Sequence, residues 1–158
     1  ISAFTNLWKD NQKFSKFLNK KKKIENQEFA VALLDIDDFK SINDQYGHIY
    51  GDQTLQAFSD SMKKNMDNKG IVTRFGGEEF MLVFDDINHE VIEDTLNKVA
   101  EEFALYGKQS KGIELSFSGG VEVFYQEDEI VKLFNRADHK LYYAKHTGKK
   151  KIVFDIDV

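Results

Sequence analysis

The stretch "EFAVALLDIDDF", residues 28–39, runs without a polar interruption from Phe29 to Leu34 and then breaks directly into the acids Asp35, Asp37 and Asp38. A strand with one wet face alternates apolar and polar residues, so an unbroken apolar run suits a strand covered on both faces. The chain must therefore supply helices for both sides of a sheet. Helical spacing appears at Phe4, Leu7, Phe14 and Leu18, and at Leu55, Phe58 and Met62. It returns at Ile92, Leu96, Val99, Phe103 and Tyr106, and again at Ile130, Phe134, Ala137, Leu141 and Ala144, with Gly148 where a capping glycine belongs. "IVTRFGGEEFMLVF" predicts two strands about a glycine turn, "GIELSFSGGVEVF" reads as an alternating strand, and "KKIVFDI" predicts a closing strand. Residues 40–50 read as a loop. The predicted order is α, β, α, ββ, α, β, α, β, with no proline, repeat or low-complexity linker, which makes residues 1–158 a single α/β domain.

Composition narrows the partners. A formal net charge of -5 argues against wrapping duplex nucleic acid, whose phosphates call for a basic face. The lysines Lys20 to Lys23 read as a solvated helix end, favoured there by the macrodipole. With no cysteine there is no disulfide framework and no thiolate zinc site, which suits the cytoplasm. No apolar run approaches the roughly 20 residues of a membrane span, so we expect no membrane contact by this domain. The first residue is Ile1, not methionine, and we read the chain as a piece of a longer signalling protein with a sensor outside it, possessing cytoplasmic localisation even if the whole is membrane-anchored.

Two acid clusters sit at predicted strand ends: Asp35, Asp37 and Asp38 after the buried strand, and Glu78 and Glu79 at the hairpin. Carboxylates crowded on neighbouring strand ends repel one another unless a cation bridges them, and hard oxygen ligands suit Mg²⁺ or Mn²⁺. Mg²⁺ takes one or two protein carboxylates and fills its shell with water and phosphate oxygens, so a nucleotide site fits better than a structural metal cage. Either cluster alone would read as a solvated turn. Gly76 and Gly77 permit positive φ and leave no side chain between the turn and an approaching phosphate or base.

"RFGGEEF" together with "DIDDFKSINDQYGHIYGD" resembles the GGDEF family of diguanylate cyclases in its Gly-Gly-Glu-Glu-Phe variant, and "SFSGG" and "RADHKLYYAKHTGKK" resemble later family segments in the same order. The resemblance implies an α+β sandwich, with a central, mostly antiparallel sheet of about five strands flanked by helices, similar to nucleotide cyclases and polymerase palms. It implies condensation of two GTP into cyclic di-GMP plus two pyrophosphates, by a transient homodimer with Mg²⁺ or Mn²⁺ as cofactor. Carried over residue by residue, Asp35, Glu78 and the Ile36 carbonyl would hold metal, with Glu79 close by; Glu78 and Lys40 would serve catalysis. Asn43 and Asp52 would read guanine, and Phe39, Lys40, Lys145, Lys149, Gly76 and Gly77 would contact substrate, mostly at its phosphates.

The departures are specific. The opening "SAFTNLWKD" keeps Thr5 and Leu7 of the family's usual start but carries Ser2, Asn6, Lys9 and Asp10 at altered positions. Lys149 replaces a common arginine, which loses the bidentate fork for phosphate. The tetrad aligned with the family's product-inhibition motif is Asp67 to Gly70, "DNKG", in place of Arg-x-x-Asp, so no inhibition through it is expected. Two alternatives stand beside the cyclase: a non-catalytic module that binds GTP or a partner protein, and relaxed base choice, which Asp52 disfavours.

Overall fold

The computed structural model describes residues 11–22, 28–125 and 130–156, with the side chain of Lys22 left aside. The chain-opening segment that departs from the family pattern, residues 1–10, lies outside these. The described elements are α1 (Gln12–Lys22), β1 (Phe29–Ile36), α2 (Phe39–Tyr46), α3 (His48–Asn65), β2 (Gly70–Gly76), β3 (Glu79–Phe84), α4 (His89–Lys111), β4 (Phe117–Phe124), α5 (Ile130–His146) and β5 (Ile152–Val153). The strands form one sheet in the order β2-β3-β1-β4-β5. Every pairing is antiparallel except that of β4 with the two-residue β5.

The apolar run is the central strand, and alternation explains its composition. Ala30, Ala32, Leu34 and Ile36 belong to a core on one side, with Phe58, Met62, Leu96, Phe103 and Phe117. Phe29, Val31 and Leu33 belong to a second core on the other side, with Phe14, Phe17, Phe134 and Leu141. Successive side chains of a strand point to opposite faces, so both faces of β1 must be apolar when helices cover both. Each fully buried Phe or Leu contributes about 1.5–3 kcal/mol relative to exposure.

Three expectations are corrected. Residues 40–46 belong to a helix, not a loop; α2 has Ile42 as its buried residue and stops at Gly47, whose φ of 89° no β-branched side chain would accept easily, so it offers too short an apolar pattern to be seen. β4 does not alternate: Phe117 to Val121 are all buried. The final strand pairs through Ile152 and Val153 only.

The glycines of β4 fix where α5 lies. A Cβ on Gly120 would stand 2.3 Å from the Ala137 carbonyl oxygen and 2.6 Å from the Leu141 amide nitrogen, so α5 rests directly on the strand. Gly120→Ala would force the two elements apart. That close seat carries the C-terminal turn of α5, with Lys145, to the end of β1.

Candidate active site at the end of the central strand

Asp35 pairs across the sheet with Glu79 of β3 on one side and Ser118 of β4 on the other, so the sheet register itself brings the two acid clusters together. Between Gly76 and Glu79 the hairpin turns through Gly77 and Glu78, with φ of 145° at Gly76 and 51° at Gly77. A Cβ at either glycine would meet nothing within 4 Å, so the turn presents bare backbone to the space in front of it. The Arg74 Nε donates to the Gly77 carbonyl at 2.9 Å and the Ile36 amide to the Glu78 carbonyl at 3.4 Å, tying the turn to its own strand and to β1.

The acids at this end differ sharply. Burial raises the Asp35 pKa despite the Lys145 ammonium 3.1 Å away, with Glu78 and Asp37 adding repulsion. Burial, then the charges of Asp35 and Glu78, push the Glu79 carboxyl up to about 7. Asp37 goes the other way: burial alone would raise it, but hydrogen bonds from Ser118, Ser116 and Lys145 outweigh that and hold it below its usual value. The sequence singled out Asp37 as one of an acid cluster and gave it no role; its partners, 79 or more residues away in the chain, are visible only in the fold.

The donor set fits a hard divalent cation. The Asp35 carboxylate, the Ile36 carbonyl and the Glu78 and Glu79 carboxylates would all offer oxygen donors, and burial followed by repulsion among the acids raises the pKa of Asp35 and Glu79, a penalty on their charged forms that a cation would offset. Among the described residues no group of three or more histidine, aspartate or glutamate side chains is placed to hold a metal ion by itself.

Lys145 is brought to the carboxylates, its ammonium 3.1 Å from Asp35 Oδ1, 3.0 Å from Asp37 Oδ1 and 3.1 Å from the Ile36 carbonyl oxygen. Lys149 reaches Asp38 at 2.6 Å. Lys40 is exposed on the first turn of α2, and among the described residues it pairs with no acid. Phe39 opens α2, and Asp38 before it stands at φ 56°, left-handed, turning the chain sharply off the sheet.

Asn43 lies over Gly51: a Cβ there would be 1.8 Å from the Asn43 Oδ1, and Phe39 approaches the same spot at 3.5 Å. The glycine before Asp52 thus exists to seat the predicted base reader. Asp52 itself opens into a cleft of about 570 Å³ between α1, α3 and β2, lined also by Leu55, Gln56, Thr73 and Arg74. At the other end of the predicted tetrad, Gly70 has φ 150° and a Cβ there would stand 1.8 Å from the Val83 carbonyl oxygen, so this backbone has no room for an aspartate.

Comparison with known proteins agrees with this geometry. Residues 4–151 match the family described as diguanylate cyclase, GGDEF domain. The chain is 33% identical over 127 residues to diguanylate cyclase DgcP of Pseudomonas aeruginosa, covering 79% of this chain and 19% of that protein. It is 33% identical over 152 residues to the uncharacterized membrane protein SERP0413 of Staphylococcus epidermidis, covering 91% of this chain and 43% of that one. The fold superposes on the active GGEEF domain of a diguanylate cyclase from Vibrio cholerae with a TM-score of 0.78 at 27% identity, covering 96% of both chains. The signature turn, the acids at the end of β1, the palm-like sheet and these likenesses have one reading: the chain belongs to the GGDEF family of diguanylate cyclases, which are nucleotidyltransferases.

Proposed function

We propose that this domain condenses two GTP molecules into cyclic di-GMP with release of two pyrophosphates. The observation that carries the reading is the pairing of Asp35 with Glu79 across the sheet, which sets the hard-oxygen ligands of β1 beside the glycine turn. Asp35, the Ile36 carbonyl and Glu78, with Glu79 adjacent, would hold Mg²⁺ or Mn²⁺. The bound cation would neutralise phosphate charge, lower the pKa of the 3′-hydroxyl and stabilise the leaving pyrophosphate.

The residues of the chain supply position. Asn43 and Asp52 meet the guanine edge, Asp52 accepting from the N1 and N2 hydrogens. Gly76 and Gly77 let backbone approach the nucleotide, and Lys40, Lys145, Lys149 and the amides opening α2 around Phe39 face its phosphates. Glu78 takes part in removing the hydroxyl proton. Each 3′-oxygen bonds to the α-phosphorus of the facing nucleotide as the bond from that phosphorus to the bridging oxygen breaks, and pyrophosphate carries away the electron pair. One chain holds one GTP, so two copies face each other across a two-fold axis.

No helix among the described residues is long and apolar enough to cross a membrane. The chain spans 19% of one relative and 43% of another that is named a membrane protein, and we place it as the cytoplasmic output of a longer signalling protein.

Incubating concentrated protein with GTP and Mg²⁺ and separating the products by chromatography tests the reading. We expect cyclic di-GMP with two equivalents of pyrophosphate. Retained GTP without product would leave a non-catalytic binding module, and equal consumption of ATP would show relaxed base choice.

A further inference from the structure

Asp37 is 5% exposed, and both oxygens of its carboxylate are hydrogen-bonded. One oxygen, Oδ1, accepts from Ser118 Oγ at 2.6 Å and from the Lys145 ammonium at 3.0 Å. The other, Oδ2, accepts from Ser116 Oγ at 2.7 Å and from the backbone amide of Lys150 at 3.0 Å. Its own amide donates to the Ser116 carbonyl at 2.9 Å, which fixes the carboxylate against the start of β4.

The Lys150 bond anchors an unusual turn. Gly148, Lys149 and Lys150 have consecutive φ values of 114°, 60° and 52°, and the last two are not glycine. Side chains in the left-handed region cost free energy and persist where surrounding contacts over-determine them. The Lys149 amide donates to the Ala144 carbonyl at 3.0 Å, its ammonium meets Asp38 at 2.6 Å, and Asp37 secures the following residue. One carboxylate therefore holds the side chain of one phosphate-facing lysine and the backbone turn that carries the other.

Resting on the GTP reading above, we propose that Asp37 is the positioning residue of a triphosphate clamp: with Ser116 and Ser118 it aims Lys145 and the 148–150 turn, with Lys149, at the phosphates, without itself touching nucleotide. A buried acid with a merely structural role would weaken the whole domain when replaced and would affect every ligand alike. Asp37 as a positioning residue affects ligands according to their phosphates. Without its charge, Lys145 keeps only Asp35 as an anionic partner and is drawn onto that carboxylate, away from the phosphates.

The test is calorimetric titration of the whole chain, in Mg²⁺, with 3′-deoxy-GTP, which has no attacking hydroxyl, and with GMP, which has no β- or γ-phosphate. Asp37→Asn keeps the shape and removes the charge; we expect it to weaken 3′-deoxy-GTP about tenfold or more while GMP stays within about twofold. Ser118→Ala keeps the charge, and we expect a loss of about two- to threefold for the triphosphate alone. Melting curves identify any variant that fails to fold, and Ser118→Ala decides if Asp37→Asn does. An unchanged ratio of the two affinities in the folded variants, or equal weakening of both ligands, overturns the positioning role. If the unaltered chain binds neither ligand, it is the GTP reading that fails.

Discussion

Asp35 and Asp37 stand two residues apart on the same strand end and are kept in opposite conditions. The Asp37 side chain is 3% exposed and takes four hydrogen bonds, and its pKa is lowered. Asp35 is 22% exposed, meets Lys145 and two other acids, and its pKa is raised, as is that of Glu79 across the sheet. A carboxylate whose lone pairs are all taken by protein donors is finished when the chain folds. One buried among like charges is unfinished, and its charge is available to whatever cation or phosphate complex arrives. Asp35 is still within β1, opposite Glu79 of the glycine hairpin, whereas Asp37 lies just past the end of the strand, where Ser116, Ser118 and the Lys150 amide close on its carboxylate.

The strongest way to break that contrast is to remove charge from the unfinished set. Glu78→Gln should lower kcat by about 10²-fold or more with a much smaller change in GTP affinity, because the lost charge matters most as charge develops at the reacting oxygens. Initial rates and a nucleotide titration on the same preparation separate the two effects. Full activity in this variant would remove Glu78 from the reaction.

Asp52 sharpens the comparison from the cleft side, since it is exposed and among the described residues no protein donor engages it. Asp52→Ala should cut the preference for GTP over ATP by about tenfold, because the guanine edge is left without its acceptor. Competition between the two nucleotides reads this directly, and an unchanged preference would assign base reading elsewhere.

The smallest expected effect is on stability. With its pKa at about 7 in the fold, Glu79 favours the native state while protonated, and that advantage is present at acid pH and lost as pH rises through 7. Glu79→Gln, fixed in the neutral form, should therefore stabilise the metal-free domain at pH 8 by about 1–2 kcal/mol after solvent screening, and leave it unchanged at pH 4. Urea melts in chelator at the two pH values check both halves. A variant no more stable than the parent at pH 8 would show that Glu79 is not repelled by its neighbours.

Much of this was legible in the residues. The unbroken apolar run from Phe29 to Leu34 required helices on both faces, and they are there. The glycines of "RFGGEEF" required a bare turn with positive φ, and Gly76 and Gly77 make one. These are local demands, written in side-chain period and backbone freedom, and they do not depend on which distant segment arrives. The short helix α2 was not legible, because its eight residues bury only Ile42 and its packing is settled by Gly51 of the next helix giving way to Asn43. Nor was the purpose of the glycines in "SFSGG", which Gly120 shows to be the close seat of α5 on β4.

Sequence alone determined the sheet, its two apolar coverings and the residue types at the site, because propensity and patterning act over a few neighbouring residues. Only the tertiary structure decided which of three neighbouring aspartates is satisfied and which is left reactive. That depends on Ser116, Ser118, Lys145 and the Lys150 amide, brought from more than 75 residues away to one carboxylate, and a charge's condition is set by what surrounds it in space.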